Sequence, residues 1–435
     1  MTMTNDQSYV RTEMLSEKAP PVTNVGIIGW MKNNLFSSPL NIGLSLIAIF
    51  AVYSVLSALL PWIFGGIWNA SSLTECREQL VAIHGELVNR ACWGVIRERF
   101  WQLMYGFYPS DLYWRPNLAL IWLFAAIAPV LFNGLPKKML MISAAFPFVA
   151  PWLLWGGTFW VPVMAFMGFV VGFLVHRITS KAISPLMGII LGVLATILWW
   201  LLLSSPLANM FAGVVPLAIE EVGSRKFGGF MLAITLGITG IALSFPIGIV
   251  LALGRLSDLV IVKALCVGFI EFIRGVPLIT LLFVASVLLN YFLPKGTQFD
   301  IILRVMIMIT FFAAAYMAEV IRGGLAALPK GQYEAADALG LDYWKAQRLI
   351  ILPQALKISI PGIVSNFIGL FKDTTLVSII ALSDPIGWVK LIQGNAEWSG
   401  VIWELYGFVA FVFFLFCFSM SRYSMYLERK LQTGH

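Results

Sequence analysis

Among the charged side chains that stand within or at the ends of stretches otherwise apolar are Glu271, Arg274, Glu319, Lys372 and Asp373. A charge at mid-membrane costs about 2.5–3.5 kcal/mol on insertion scales, so each needs a reason to be there. Lys372 and Asp373 fall near the middle of their stretch. Thr374 and Thr375 follow, with hydroxyls suited to bonding carbonyls that a local helix opening sets free. Two readings fit this pair. Either the helix breaks and the two charges neutralise each other, or they line a path and meet the zwitterionic or charged part of a solute. Glu271 and Arg274, one helical turn apart, allow the same two readings. Glu319 ends its stretch near the water boundary, where a solvated carboxylate costs little.

Other chemistry is scarce. The three histidines form no Ser-His-Asp, Cys-His or metal-binding constellation, so neither a catalytic nor a metal site is expected. There is no Gly-x-x-x-x-Gly-Lys-Ser/Thr and no Gly-Lys dipeptide, which excludes a P-loop and with it ATP hydrolysis by this chain alone. Cys266 and Cys417 lie in apolar runs and read as packing residues. Cys76 and Cys92 share one polar loop without metal-ligand spacing, and His84 between them is a weak ligand candidate.

The elements that must position these groups are membrane helices. Of 435 residues, 59% are hydrophobic and 12% charged, against about a quarter charged in soluble domains. The apolar runs are continuous over about 20 residues, whereas barrel strands alternate. Ten spans are expected: Leu40–Phe64, Asn117–Phe132, Met139–Trp155, Phe159–Val175, Ile183–Leu203, Phe230–Leu253, Val260–Leu293, Ile301–Ala318, Ile360–Leu382 and Gly400–Met420. The third and fourth are separated only by Gly156, Gly157 and Thr158. The seventh contains Gly275 and Pro277 and should break there. Lys137, Lys138, Arg177, Lys181, Arg255, Arg422, Arg429 and Lys430 follow alternate spans, which puts both termini in the cytoplasm. The net charge of +7 therefore needs no nucleic acid partner. The loop from Gly65 to Arg115 then lies outside, in an oxidising space. There Cys76 and Cys92 are expected either to pair or to remain two separate packed thiols.

Between two of these spans the chain reads EAADALGLDYWKAQRLIILP, Glu334 to Pro353. A short helix, Glu334 to Leu339, should turn at Gly340, because glycine reaches left-handed angles at little cost. Asp342 then caps a second helix that is expected to stop at Pro353, with Tyr343, Ala346 and Ile350 on one face. Glu334, Ala335, Ala336, Gly340, Leu352 and Pro353 together resemble the EAA loop of ABC-importer permeases. In that family the loop docks into a cleft on the ATPase subunit.

The resemblance extends from Gly228 onward through GGFMLAITLGITGIALSFPIGIVLALGR, EFIRGVPLI and FKDTTLVSII, in the order of a polar-amino-acid permease core. ACWGVIRERF, YGFYP and LYWRP resemble the general L-amino-acid permeases of glutamate/glutamine/aspartate/asparagine type. The organisation this implies is a cytoplasmic tail (1–39), a first transmembrane helix (40–64) and a periplasmic loop with short helices (65–116). An additional N-terminal transmembrane region (117–227) and a five-span permease core (228–435), with the EAA loop at 322–359, complete it. The fold class is thus an all-α polytopic membrane protein with a type I ABC-importer core, in a bacterial inner membrane. The resemblance implies a permease subunit that moves polar L-amino acids by alternating access, with Lys372, Asp373, Thr374, Glu271 and Arg274 on the substrate path. Its implied partners are a cytoplasmic ABC ATPase dimer, a second permease subunit, related or identical, and a periplasmic amino-acid-binding protein. The chain itself binds no cofactor, and ATP and Mg sit on the ATPase. An ion-coupled secondary carrier suits ten spans and broken helices equally well, but it leaves the loop motif without a purpose.

Overall fold

The structure, a computed structural model, describes residues 26–132, 134–288, 291 and 300–431. Most of the expected tail and the last part of the expected span Val260–Leu293 lie outside the described residues. The chain divides into two compact units, one comprising the residues up to Ala70 with Glu75–Trp93, the other Ser71–Thr74 with everything from Gly94 onward. The expected loop 65–116 is thus split at Gly94.

In the first unit, α1 (Gly26–Asn34) precedes α2 (Pro39–Phe64). Ser38 accepts a hydrogen bond from the Asn41 amide and Pro39 opens the helix, both favourable at an N-terminus. No residue of α2 is buried, as expected of a helix apolar on every side and facing lipid. Beyond it the chain folds back. The amides of Ile67 and Ala91 bond the carbonyls of Ala91 and Trp62, and the Trp93 indole donates to the Ile63 carbonyl at 2.8 Å. Trp93 packs between Trp62 and Trp68. A disulfide joins Cys76, on α3 (Leu73–His84), to Cys92, with Cα atoms 6.1 Å apart.

The second unit begins with α4 (Gly94–Tyr105), then α5 (Trp114–Leu131), α6 (Leu140–Trp155), α7 (Trp160–Ala182), α8 (Pro185–Leu198) and α9 (Ser204–Val214). A π-turn over Trp199–Leu203 links the last two. The expected turn between the third and fourth spans is an antiparallel ribbon, β1 (Gly157–Thr158) with β2 (Ala218–Ile219), paired Gly157 to Ile219 and Thr158 to Ala218. The core follows as α10 (Gly229–Arg255), α11 (Val260–Gly275), α12 (Leu278–Phe283), α13 (Ile301–Ala326), α14 (Lys330–Ala338), α15 (Tyr343–Ala346), α16 (Leu352–Asp373), α17 (Pro385–Gln393) and α18 (Ile402–Leu431). Between α11 and α12 the axis bends by 99°, at the Gly275–Pro277 break. Among the described residues nine helices are long and apolar enough to cross a bilayer, and this bent pair makes ten.

Lipid offers helices no hydrophobic drive toward one another, so close backbone approach at small residues holds them together. A Cβ on Gly240 would stand 3.0 Å from Ile309, and one on Gly324 2.5 Å from the Ala355 carbonyl, which fixes α10 on α13 and α13 on α16. Leu232, Leu236, Ile302, Val305 and Ile309 fill the buried seam. Another close fit lies where α4 meets the start of α10. Gly106 and Gly229 both hold positive φ (70° and 57°), Gly106 pairs with Phe227, and a Cβ on Gly229 would collide with the Leu103 carbonyl. A side chain at positive φ costs roughly 1–2 kcal/mol before any collision. Gly229→Ala is therefore expected to lower the thermal midpoint in detergent by several degrees. Gly213→Ala, where a Cβ meets nothing, should leave it unchanged.

Candidate functional site

The loop between α13 and α16 forms the expected elbow. The helix α14 closes with the amide of Leu341 on the Ala336 carbonyl and that of Gly340 on the Asp337 carbonyl, a C-terminal motif that requires Gly340 at φ 69°. Asp342 accepts from the Lys345 amide at 3.0 Å and pairs with the Lys345 ammonium at 2.8 Å. The hydrogen bond from that ammonium, with the amide's after it, holds its carboxyl below the usual carboxylate range.

The second helix does not stop at Pro353. It passes through a π-turn, Gln347–Ile351, and continues as α16 to Asp373. Proline lacks an amide and its ring crowds the carbonyl four residues back, but the wider π-turn places Pro353 at the start of a fresh α segment. Tyr343 also departs from expectation. Ala346 and Ile351 are buried and Ile350 packs beside them, while Tyr343 faces outward. Ala336 and Ala355 are buried as well, and Gln354 donates to Gln332 at 2.9 Å to tie α16 to α14. The outer surface holds Glu334, Ala335 and Gly340 with four exposed large apolar side chains: Leu339, Tyr343, Trp344 and Leu349. Trp344 is 70% exposed.

Behind the elbow lies a charge cluster. Glu319, 16% exposed, receives Arg255 of α10 at 3.0 Å, Arg274 of α11 at 3.6 Å and Arg322 of α13 at 3.1 Å. Glu271 pairs with Arg255 at 2.7 Å. The expected pairing of Glu271 with Arg274 is thus replaced. Both residues end α11, but their closest opposite charges come from α10 and α13. Glu319, read as a solvated end group, is the carboxylate that three helices share.

Lys372 and Asp373 form no ion pair with each other among the described residues. The α-helix ends at Asp373 and a 3₁₀ segment, Thr374–Ile380, follows. The Thr374 and Thr375 hydroxyls donate to the carbonyls of Phe371 and Lys372 at 2.7 and 2.8 Å. Lys372 is exposed, Thr374 is buried, and Asp373 lines a cleft of about 470 Å³ between α13 and α16. Tyr316, Ser365, Asn366 and Gly369 line it too. The Asn366 amide donates to the Ala313 carbonyl at 3.2 Å, and the Arg274 guanidinium stands 5.3 Å from the Tyr316 ring. The cleft therefore offers a carboxylate, an amide and a hydroxyl on an apolar wall, with a cation next to Tyr316. Ser365, Asn366 and Tyr316 escaped the sequence reading. Their signal is present: Gly362, Ser365, Asn366, Gly369 and Asp373 recur at spacings of three and four, a polar stripe on an apolar helix. Among the described residues no three His, Cys, Asp or Glu side chains gather as a metal site would require.

Residues 244–433 match the family described as the binding-protein-dependent transport system inner membrane component. The glutamate/glutamine/aspartate/asparagine transport system permease protein BztC of Rhodobacter capsulatus is 56% identical over 99% of this chain and all of its own length. The inner membrane amino-acid ABC transporter permease protein YhdY of Escherichia coli K12 is 40% identical over 93% of both chains. A solved amino acid ABC transporter aligns at TM-score 0.42 and 28% identity, over 46% of this chain and 91% of that one.

The geometry of the cluster makes Glu319 its keystone. Glu319→Gln leaves Arg274 and Arg322 without a carboxylate and should destabilise the protein by roughly 2 kcal/mol, part of the buried-pair range being lost to solvent. Glu271→Gln, at an exposed position, should have the smaller effect. Thermal unfolding of both variants in detergent checks the order.

Proposed function

The chain belongs to the family of binding-protein-dependent ABC-transporter permeases, and on that premise we propose that it is one membrane half of an ATP-driven importer of glutamate, glutamine, aspartate and asparagine. The substrate reading rests on the relative that shares 56% of its residues over nearly the whole chain. The observation that carries the mechanism is the elbow: a polar turn whose inner face is packed on α13 and α16 and whose outer face presents exposed apolar side chains beside Glu334.

A periplasmic binding protein delivers the amino acid to the outer face. ATP, with Mg, closes an ATPase dimer on the cytoplasmic side. The elbow seats Leu339, Tyr343, Trp344 and Leu349 against that dimer and carries its closure into α13 and α16. One elbow per chain calls for a second permease subunit, identical or related, and the two halves tilt between inward- and outward-facing states. The cleft between α13 and α16 belongs to the substrate path, with Asp373 toward the ammonium group of the amino acid. This orientation puts both termini in the cytoplasm and the Cys76–Cys92 bridge in the oxidising periplasm. An ion-coupled carrier has no use for the exposed elbow.

Two measurements test the reading, both by vanadate-sensitive uptake in proteoliposomes that contain the ATPase, both permease subunits and the binding protein. A Cβ at Gly340 meets nothing, so Gly340→Val adds only backbone strain, about 1–2 kcal/mol, and the protein should still insert. Its uptake is expected to fall more than about tenfold, because the turn no longer fits its partner. Uptake at the unaltered rate in a well-expressed variant sinks the coupling role. For the cleft, Asp373→Asn should raise the apparent KM more than Lys372→Gln does. An unchanged KM in Asp373→Asn removes that carboxylate from the path.

A further inference from the structure

We propose that one end of the α5–α8 region is a docking surface for the headgroups of anionic phospholipids. Between Asp111 and Glu220 the sequence has no Asp or Glu, yet it carries Lys137, Lys138, Arg177 and Lys181. All four are exposed, and among the described residues none enters an ion pair. Among the described residues, the helices that carry them supply no carboxylate; the nearest element with one is α18, whose Tyr423 packs on Leu131 and Phe132 and whose Glu428 accepts from Ser424.

The topology brings them to one level. The helices α6 and α7 are antiparallel and joined by the ribbon at Gly157–Thr158. Measured back from that turn, α6 and the 3₁₀ turn Lys137–Met139 reach Lys137 after about 28 Å, at 1.5 and 2.0 Å per residue. Along α7, Arg177 comes after about 26 Å and Lys181 after about 32 Å. These heights lie within about 6 Å of one another, and they bracket the roughly 30 Å of a hydrocarbon core. The cations therefore stand where lipid phosphates stand.

The surface beneath them selects a lipid over a free phosphate. Leu140 and Met141 on α6, Leu174 and Ile178 on α7, and Leu186 on α8 are all exposed near the same end. Acyl chains can cover them while the phosphate meets the cations. His176, on the same helix, is half-buried and hydrogen-bonded to Ser180. Topology rules also favour cations at such a place. Those rules orient helices during insertion, but they give the folded protein no preference between headgroups.

The test uses the full chain reconstituted with spin-labelled phosphatidylglycerol or phosphatidylcholine, with lipid association read by electron paramagnetic resonance. The expected result is a preference for phosphatidylglycerol on the order of fivefold at low salt. It should fall as salt rises, persist in about 10 mM inorganic phosphate, a concentration that screens little, and survive K137R/K138R/K181R. It should be lost in K137Q/K138Q/R177Q/K181Q. Equal association of both lipids with the wild type, or a salt-independent preference, overturns the proposal without reference to any variant. Competition by inorganic phosphate reassigns the surface to a free anion. A preference unchanged in the fourfold variant places the lipid elsewhere.

Discussion

Lipid does not accept an unpartnered charge, and Glu319, a mostly buried carboxylate, takes three cationic partners from the protein. The three arginines that answer it come from α10, α11 and α13, and two of them lie far from it in sequence. The glycine contacts set how closely α10, α13 and α16 approach. The shared carboxylate adds a tie between the ends of α10, α11 and α13. Packing and charge thus fix the same helices at different heights.

The irregular places in the helices coincide with the places that hold polar chemistry. The axis breaks at Gly275–Pro277, directly after Arg274. The α-helix becomes 3₁₀ directly after Asp373. A π-turn separates the elbow from the cleft-bearing helix. Each irregularity frees backbone groups, and each sits where side chains or packed neighbours take them up, as the two threonine hydroxyls do at the end of α16. The segment after α16 shows the same economy of charge. Asp384 is fully buried and caps α17 by accepting from the amides of Ile386 and Gly387, yet burial still pushes its carboxyl up to about 6.

Much of this was legible in the sequence, for reasons that can be named. Apolar runs of bilayer length gave the spans, because nothing else explains twenty apolar residues in a row. Gly340 and Asp342 gave the elbow, because a left-handed turn and an N-cap are local requirements. What escaped depended on partners distant in the chain. Glu271 and Arg274 looked paired because they are neighbours, but Arg255 and Glu319 approach them only in three dimensions. Pro353 looked like a terminus because a proline ends an ordinary α-helix, and a π-turn leaves no signature that propensity alone can reveal. The stripe of Ser365 and Asn366 was visible in the periodicity, but attention to full charges passed over uncharged polar groups.

The continuity of the helix through Pro353 has a mechanical meaning. From Tyr343 to Asp373 the polypeptide forms one rod, and its tightest crossing with α13 is where Gly324 meets Ala355 and Ser359. The Ser359 hydroxyl pins that crossing by donating to the Val320 carbonyl at 3.2 Å. At 1.5 Å per residue, the crossing lies roughly 20 Å from the elbow and roughly 25 Å from Asp373. The rod is a lever with nearly equal arms, and its fulcrum is a glycine. Turned rigidly about that crossing, the rod would carry a displacement at the elbow to the cleft at about the same size and in the opposite sense.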